Sequence, residues 1–391
     1  MNISGTMMIT LELFDDSFEA EAHIEFLHGT ENELSFILNN DLNISSITSP
    51  NSNVFFAKAD SIEPMFRPLS QKIIVTSSSP MSEVYIRYSG SIHFDEANKK
   101  NWHNEITEDF VSLNWYSVWF PDNLSINISD AKVILKNGHK WFVVKAEYNE
   151  HDDVWIYGKQ ESDWCNIVAY SKEKLQTVSS PAMDIFFIDE SIKDVAEKCA
   201  DIYNSIIQYY NETLFDKKVI SKLDVVCAYP YIKTGGAYKR ENLMWCTALS
   251  NDELERTYLF AHEIAHIWCC GADCSSWEDW LNETTADWAA LLFALYINNM
   301  ALFDSILKSK IEIYDKLPSI KTADGSRPDG VHEKGTVLLY HVYQKYGYDT
   351  MVEIVRCFSH LSQKNTQNFL DELRKINLQG VADIIENGMT L

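Results

Sequence analysis

The apolar residues of this chain change their spacing near residue 180, and that change restricts the fold more than any other feature. Before it, the runs are strand-like. Lys72–Thr76 and Glu83–Tyr88 are β-branched or aromatic, the second in strict alternation. Lys132–Lys136 and Lys140–Val144 flank Asn137-Gly138, the residue pair of a two-residue hairpin turn. After it, Asp184–Ile188, Leu223–Ala228 and, as an edge, Leu243–Leu249 still read as strands, but Ser191–Leu214 and about six segments beyond Ser250 repeat at helical spacing. The expectation is an α+β chain. A β-rich sandwich or saddle domain covers 1–180, and a second, mainly helical domain covers 181–391, with the junction at Ser179-Ser180-Pro181.

Charge and cysteine usage narrow the function. The 33 Lys and Arg against 57 Asp and Glu give a formal charge of −24, the wrong sign for a nonspecific nucleic-acid or anionic-membrane binder. No run of 18 apolar residues is present, and Met1–Thr10 lacks a basic flank followed by an apolar run. Eight cysteines in 391 residues are too sparse for a disulfide framework, so reduced thiols and a cytoplasmic location are expected. Neither nucleic acid nor membrane is an expected partner, and the oligomeric state is unreadable.

The chemistry concentrates in two neighbouring segments. His262-Glu263-Ile264-Ala265-His266 lies in a helical pattern, with Ser250 and Glu253 spaced as a capping box and Gly271 as a stop. Residues four apart share a helix face, so His262 and His266 can ligate one zinc, and Glu263 is placed to act as a base on water at that metal. Seventeen residues after His266 comes Glu283, on a second predicted helix that Ser275 and Glu278 would cap. Two packed helices bring its carboxylate to the metal. Asp287, one turn further, can accept the second ring N–H of a zinc histidine.

These residues resemble the gluzincin metallopeptidases, and Trp280-Leu281-Asn282-Glu283 is similar to the aminopeptidase N branch. The resemblance implies a thermolysin-like zinc domain with one Zn2+ per chain, held by His262, His266 and Glu283, and Glu263 as general base. It covers residues 184–345 in detail, and the spacing to Glu283 is two residues shorter than is usual in that branch. His332-Glu333-Lys334-Gly335 resembles the family's Tyr-Glu-Lys-Gly, so His332 takes the place of the tyrosine that donates to the oxyanion. Gly236-Ala237 and Glu241-Asn242 resemble a split Gly-x-Met-Glu-Asn string. This implies substrate-backbone binding at Gly236 and Ala237 and α-amine binding at Glu241.

The implied function is a zinc metallopeptidase, of aminopeptidase type, hydrolysing short peptides by Glu-assisted attack of zinc-bound water. The exchanged tyrosine and the split string leave a second reading open: a catalytically impaired relative that binds peptides or serves as a scaffold. Cys270 and Cys274 could ligate a second metal, but no partner pair of Cys or His follows them at zinc-finger spacing, so they read as thiols beside the zinc helix; a cysteine as fourth ligand would favour that second reading.

Overall fold

A computed structural model describes residues 4–390 apart from 28–30, 62–66, 99, 123, 161–164, 216–221, 235 and 241. The alternation in the first half becomes a mixed seven-stranded sheet. In spatial order its strands are Glu147–Asn149, Val154–Gln160, Asn127–Leu135, Ser4–Leu13, Phe18–Phe26, Glu83–Gly90 and Asn43–Thr48. Alternate residues such as Met7, Ile9, Leu11 and Leu13 point to one face, as period two requires, and are buried there. The same core takes Leu34, Phe36, Leu38, Ile73 and Val75 from a three-stranded sheet of Glu31–Asn39, Ser70–Met81 and Val54–Ser61. This is the expected β-rich sandwich.

The expected hairpin at Asn137-Gly138 does not form. Asn127–Leu135 pairs with Val154–Gln160 in the large sheet, whereas Trp141–Val143 pairs with Ile167–Ser171 in a four-stranded one. Asn137 does take a positive φ of +57°, so the turn is real. The Trp155 indole N–H reaches both Gly138 O (3.0 Å) and Trp141 O (2.8 Å), which ties the turn to a third strand.

The four-stranded sheet joins the two halves. Its Phe110, Val168 and Tyr170 pack with Phe186, Val226 and Trp245 of a five-stranded sheet. In that sheet Met183–Phe187, Leu223–Cys227 and Leu243–Cys246 run parallel, with Gln176–Ser179 and Ala237–Arg240 as antiparallel edges. Helix α1 (Lys193–Tyr209) makes the crossover between the first two parallel strands, as a parallel pair demands.

The helices follow as α2 (Glu253–Ala265), α3 (Trp280–Tyr296), α4 (Met300–Ile313), α5 (Val331–His360, interrupted at Gly347), α6 (Thr366–Lys375) and α7 (Gln379–Gly388). Helix α3 is apolar almost all round and is buried at the centre of this half, with α2, α4 and α5 packed on it. Among the described residues, no helix is long and apolar enough to cross a membrane.

Gly335 marks the closest approach of α5 to α3. A Cβ there would collide with the Thr284 hydroxyl and press on Trp280. On a free helix Gly→Ala stabilises by about 1 kcal/mol. Here the sign reverses: Gly335→Ala should cost about 1–3 kcal/mol through overpacking, read as a lower urea midpoint.

Candidate metal centre

Asp252, rather than Ser250, caps α2: its Oδ1 accepts from the N–H groups of Leu254 (2.7 Å) and Glu255 (3.2 Å). A carboxylate both satisfies those donors and meets the positive end of the helix dipole. Ser250 instead donates to Glu255. The regular helix stops at Ala265, but His266 at the cap keeps φ −62° and ψ −7°, so it stays on the face of His262. Tight turns (Ile267 N–H to Ile264 O, 3.0 Å; Trp268 N–H to Ala265 O, 2.9 Å) then carry the chain back beneath the His266 ring. Similarly Ser276, not Ser275, caps the 3-10 turn Trp277–Asp279 that leads into α3. Glu283 lies in the first turn of α3, and Asp287 one turn later.

Three ligand atoms converge. His262 Nε2 and His266 Nε2 are 3.3 Å apart, and Glu283 Oε2 is 3.2 Å from the first and 3.7 Å from the second. Bonds of about 2.1 Å at tetrahedral angles separate ligand atoms by about 3.4 Å. The far side of each ring explains why both Nε2 atoms can serve. His266 Nδ1 donates to Cys269 O (2.9 Å), and a carbonyl only accepts. His262 Nδ1 donates to Asp287 Oδ1 (2.9 Å). With Nδ1 of each ring engaged outward, Nε2 is the nitrogen left to a metal, and the two Nε2 atoms and a carboxylate oxygen face one point, a donor set that fits zinc.

Asp287 is fully buried and accepts four contacts. Oδ1 takes His262 and the Tyr258 hydroxyl (2.6 Å); Oδ2 takes the Thr336 hydroxyl (2.5 Å) and the Lys310 ammonium (2.7 Å). Burial alone would raise the carboxyl pKa of Asp287, but Lys310 and His262 hold it well below the usual range. Burial likewise opposes the charge on Glu283, and the surrounding imidazoles of His332, His266 and His262 outweigh it.

Burial would lower the pKa of His262; its contacts with Asp287 and Glu283 prevail and raise it to about 10. In the metal-free protein the ring therefore keeps its proton below about pH 10, and a metal must displace that proton. Zinc affinity should fall as pH falls, by about tenfold per unit for one proton released. Chelator competition between pH 7 and 9 reads the slope, and a flat profile contradicts it.

His332, in the first turn of α5, brings Nδ1 to 3.0 Å from Glu283 Oε2, and one ligand atom from each of His262, Glu283 and His332 lies within 4.8 Å of the others. Glu263 sits in α2 next to His262 and is 7 % exposed. Gly236 (φ +75°) and Ala237 open the edge strand beside α2, and Gly236 O accepts from Thr247 N–H (3.0 Å). Glu241 lies outside the described residues. Cys270 and Cys274 are exposed, and among the described residues no cysteine joins a cluster of metal-ligating side chains. Sequence reasoning missed Tyr258, Thr336, Lys310 and Arg327. Tyr258 stands four residues before His262 and Thr336 four after His332, so helical spacing could have found them. Lys310 and Arg327 carry no such signal.

No protein-family model matches the chain, and no curated protein sequence does. Solved structures are similar to it. Leukotriene A4 hydrolase from Saccharomyces cerevisiae superposes with a TM-score of 0.66 at 15 % identity, over 98 % of this chain and 66 % of that one. An M1 zinc metallopeptidase from Deinococcus radiodurans, a mutant bound to a Tyr-Ser-Ala substrate, gives 0.66 at 12 % identity, over 99 % and 93 %. A two-domain M1 zinc metallopeptidase mutant bound to L-tryptophan gives 0.63 at 12 % identity, over 100 % and 95 %. The chain thus spans under two thirds of the yeast enzyme but nearly all of the two others. A β sandwich followed by a mainly helical half is the fold of the M1 zinc metallopeptidases, the aminopeptidase N family, and this chain has that fold.

Proposed function

We propose that this chain is a zinc-dependent metallopeptidase of aminopeptidase type, with a β-rich domain over 1–180 and the zinc peptidase domain over 181–391. The observation that carries the reading is the convergence of the His262, His266 and Glu283 ligand atoms, with both Nδ1 hydrogens engaged elsewhere. When bound, zinc polarises a carbonyl and lowers the pKa of water to about 7. Glu263 takes the proton from the attacking water and passes it to the leaving amine. His332 donates a hydrogen bond to the carbonyl oxygen as its negative charge develops. The strand Ala237–Arg240 ends the five-stranded sheet, so an extended peptide can add alongside it, starting at Gly236 and Ala237. Selectivity for a free α-amine is assigned to Glu241.

The test is a panel of aminoacyl and N-blocked peptide substrates offered to the zinc-loaded protein, with zinc content measured on the same samples. Cleavage of free-amine substrates alone, at one zinc per chain, is the expected result. Cleavage of blocked substrates makes the protein an endopeptidase. Zinc without turnover across the panel rejects the catalytic reading.

A further inference from the structure

His332 differs from the two other imidazoles of the cluster in which way its ring hydrogen points. His262 and His266 turn Nδ1–H outward, to Asp287 and to Cys269 O, and turn Nε2 inward. His332 Nδ1 instead faces the Glu283 carboxylate at 3.0 Å, and its Nε2 faces outward, 3.0 Å from Arg327 Nη2. A guanidinium has only hydrogens to offer, so Nε2 of His332 must accept. A carboxylate oxygen accepts, so Nδ1 of His332 must carry the hydrogen. The two contacts demand the same tautomer independently.

Arg327 is itself held for this task. Its Nε donates to Asp279 Oδ2 (2.7 Å), a buried carboxylate one turn before Glu283. Asn282 Nδ2 donates to the other oxygen of Asp279 (2.8 Å). The segment that carries Arg327 is pinned to the start of α3 by pairing of Ser326 with Ser276, and by Trp277 N–H to Gly325 O (3.3 Å). A chain of contacts thus runs from the helix that supplies Glu283, through Asp279 and Arg327, to the ring that faces Glu283.

We infer that Arg327 is a positioning residue that fixes the ring hydrogen of His332 on Nδ1, making His332 a hydrogen-bond donor to the metal cluster rather than a further ligand. In the proposed reaction that donor meets the carbonyl oxygen. An imidazole with a free Nδ1 lone pair would close the site with a fourth protein ligand, the arrangement of a structural zinc. Arg327 therefore decides between an open and a closed metal. The assignment of the reaction rests on the function proposed above; the tautomer does not.

Long-range 1H–15N correlation spectra of 15N-histidine-labelled protein report which ring nitrogen bears hydrogen, and His332→Gln identifies the signals. Zinc-loaded wild type should show His332 with hydrogen on Nδ1 only. Arg327→Met should move hydrogen to Nε2 in part or in full, and Arg327→Lys, which keeps a cationic donor, should hold the native tautomer. X-ray absorption at the zinc edge should count two imidazoles in the wild type. In turnover, Arg327→Met should lower kcat on the order of tenfold or more and leave KM within about threefold, as for a weakened oxyanion donor. Should Arg327→Met fail to fold, the wild-type and Arg327→Lys spectra still decide. Hydrogen on Nε2 in the wild type, an unchanged tautomer in folded Arg327→Met, or three imidazoles on zinc would overturn the inference. The native tautomer without any turnover supports it and rejects only the proposed reaction.

Discussion

Replacing Glu263 with glutamine is expected to leave zinc bound and remove nearly all turnover. Glutamine matches glutamate in shape, and Glu263 is not one of the three converging ligands, so the cluster of His262, His266 and Glu283 should persist. What disappears is the carboxylate proposed to take a proton from water, since Glu283 is committed to the cluster and Asp287 to the far side of the His262 ring. Positioned general bases contribute about 10²–10⁴-fold, and the loss of kcat should fall in that range. Turnover of free-amine substrates and zinc content, measured on both proteins, check the result. Substantial activity in Glu263→Gln with zinc retained would assign the proton transfer to another residue.

The second large effect belongs to Asp287→Ala. Two consequences are expected because the carboxylate faces two ways. Toward the cluster it orients His262, and loss of such a partner lowers metal affinity by about 10–100-fold. Toward α4 it balances Lys310, whose side chain is only 9 % exposed. Removing one member of a buried pair costs about 3–5 kcal/mol because the remaining charge is stranded. Urea unfolding should be measured without metal, since zinc bound to the native state adds its own stabilisation. The double variant Asp287→Ala with Lys310→Met separates the two roles. It should recover much of the stability, because no charge is then stranded, and none of the zinc affinity. Recovery of both would mean that Asp287 acts on the metal through Lys310 and not through the His262 ring.

What could be read from the sequence follows the range of the interactions. His262 and His266 are four apart and Glu283 and Asp287 are four apart, so helical period alone puts each pair on one face, and ligand chemistry then joins the pairs. Strict alternation made the strand Glu83–Tyr88 legible, while the equally alternating Phe18–Phe26 went unread. The Asn137-Gly138 pair misled because a turn specifies local backbone direction and not the partner of the strand that follows; the Trp155 indole settled that from outside the pair. Both helix caps shifted by one or two residues because a nearby aspartate or serine competed for the same N–H groups. Lys310 and Arg327 act across 23 and 48 residues to reach Asp287 and Asp279, and no local pattern announces such contacts.

The spacing at Gly335 determines which changes near this site are inexpensive over evolutionary time. Gly335 and His332 are three residues apart and share a face of α5, so the gap gauged against Thr284 also sets the reach of position 332 toward Glu283. Repacking the two helices to adjust that reach would disturb the whole buried face of α3. Exchanging the single side chain at 332 would not. A histidine standing where the aminopeptidase-like string carries tyrosine is the kind of variation such a gauge permits: one codon changes the donor, and the backbone that presents it stays put.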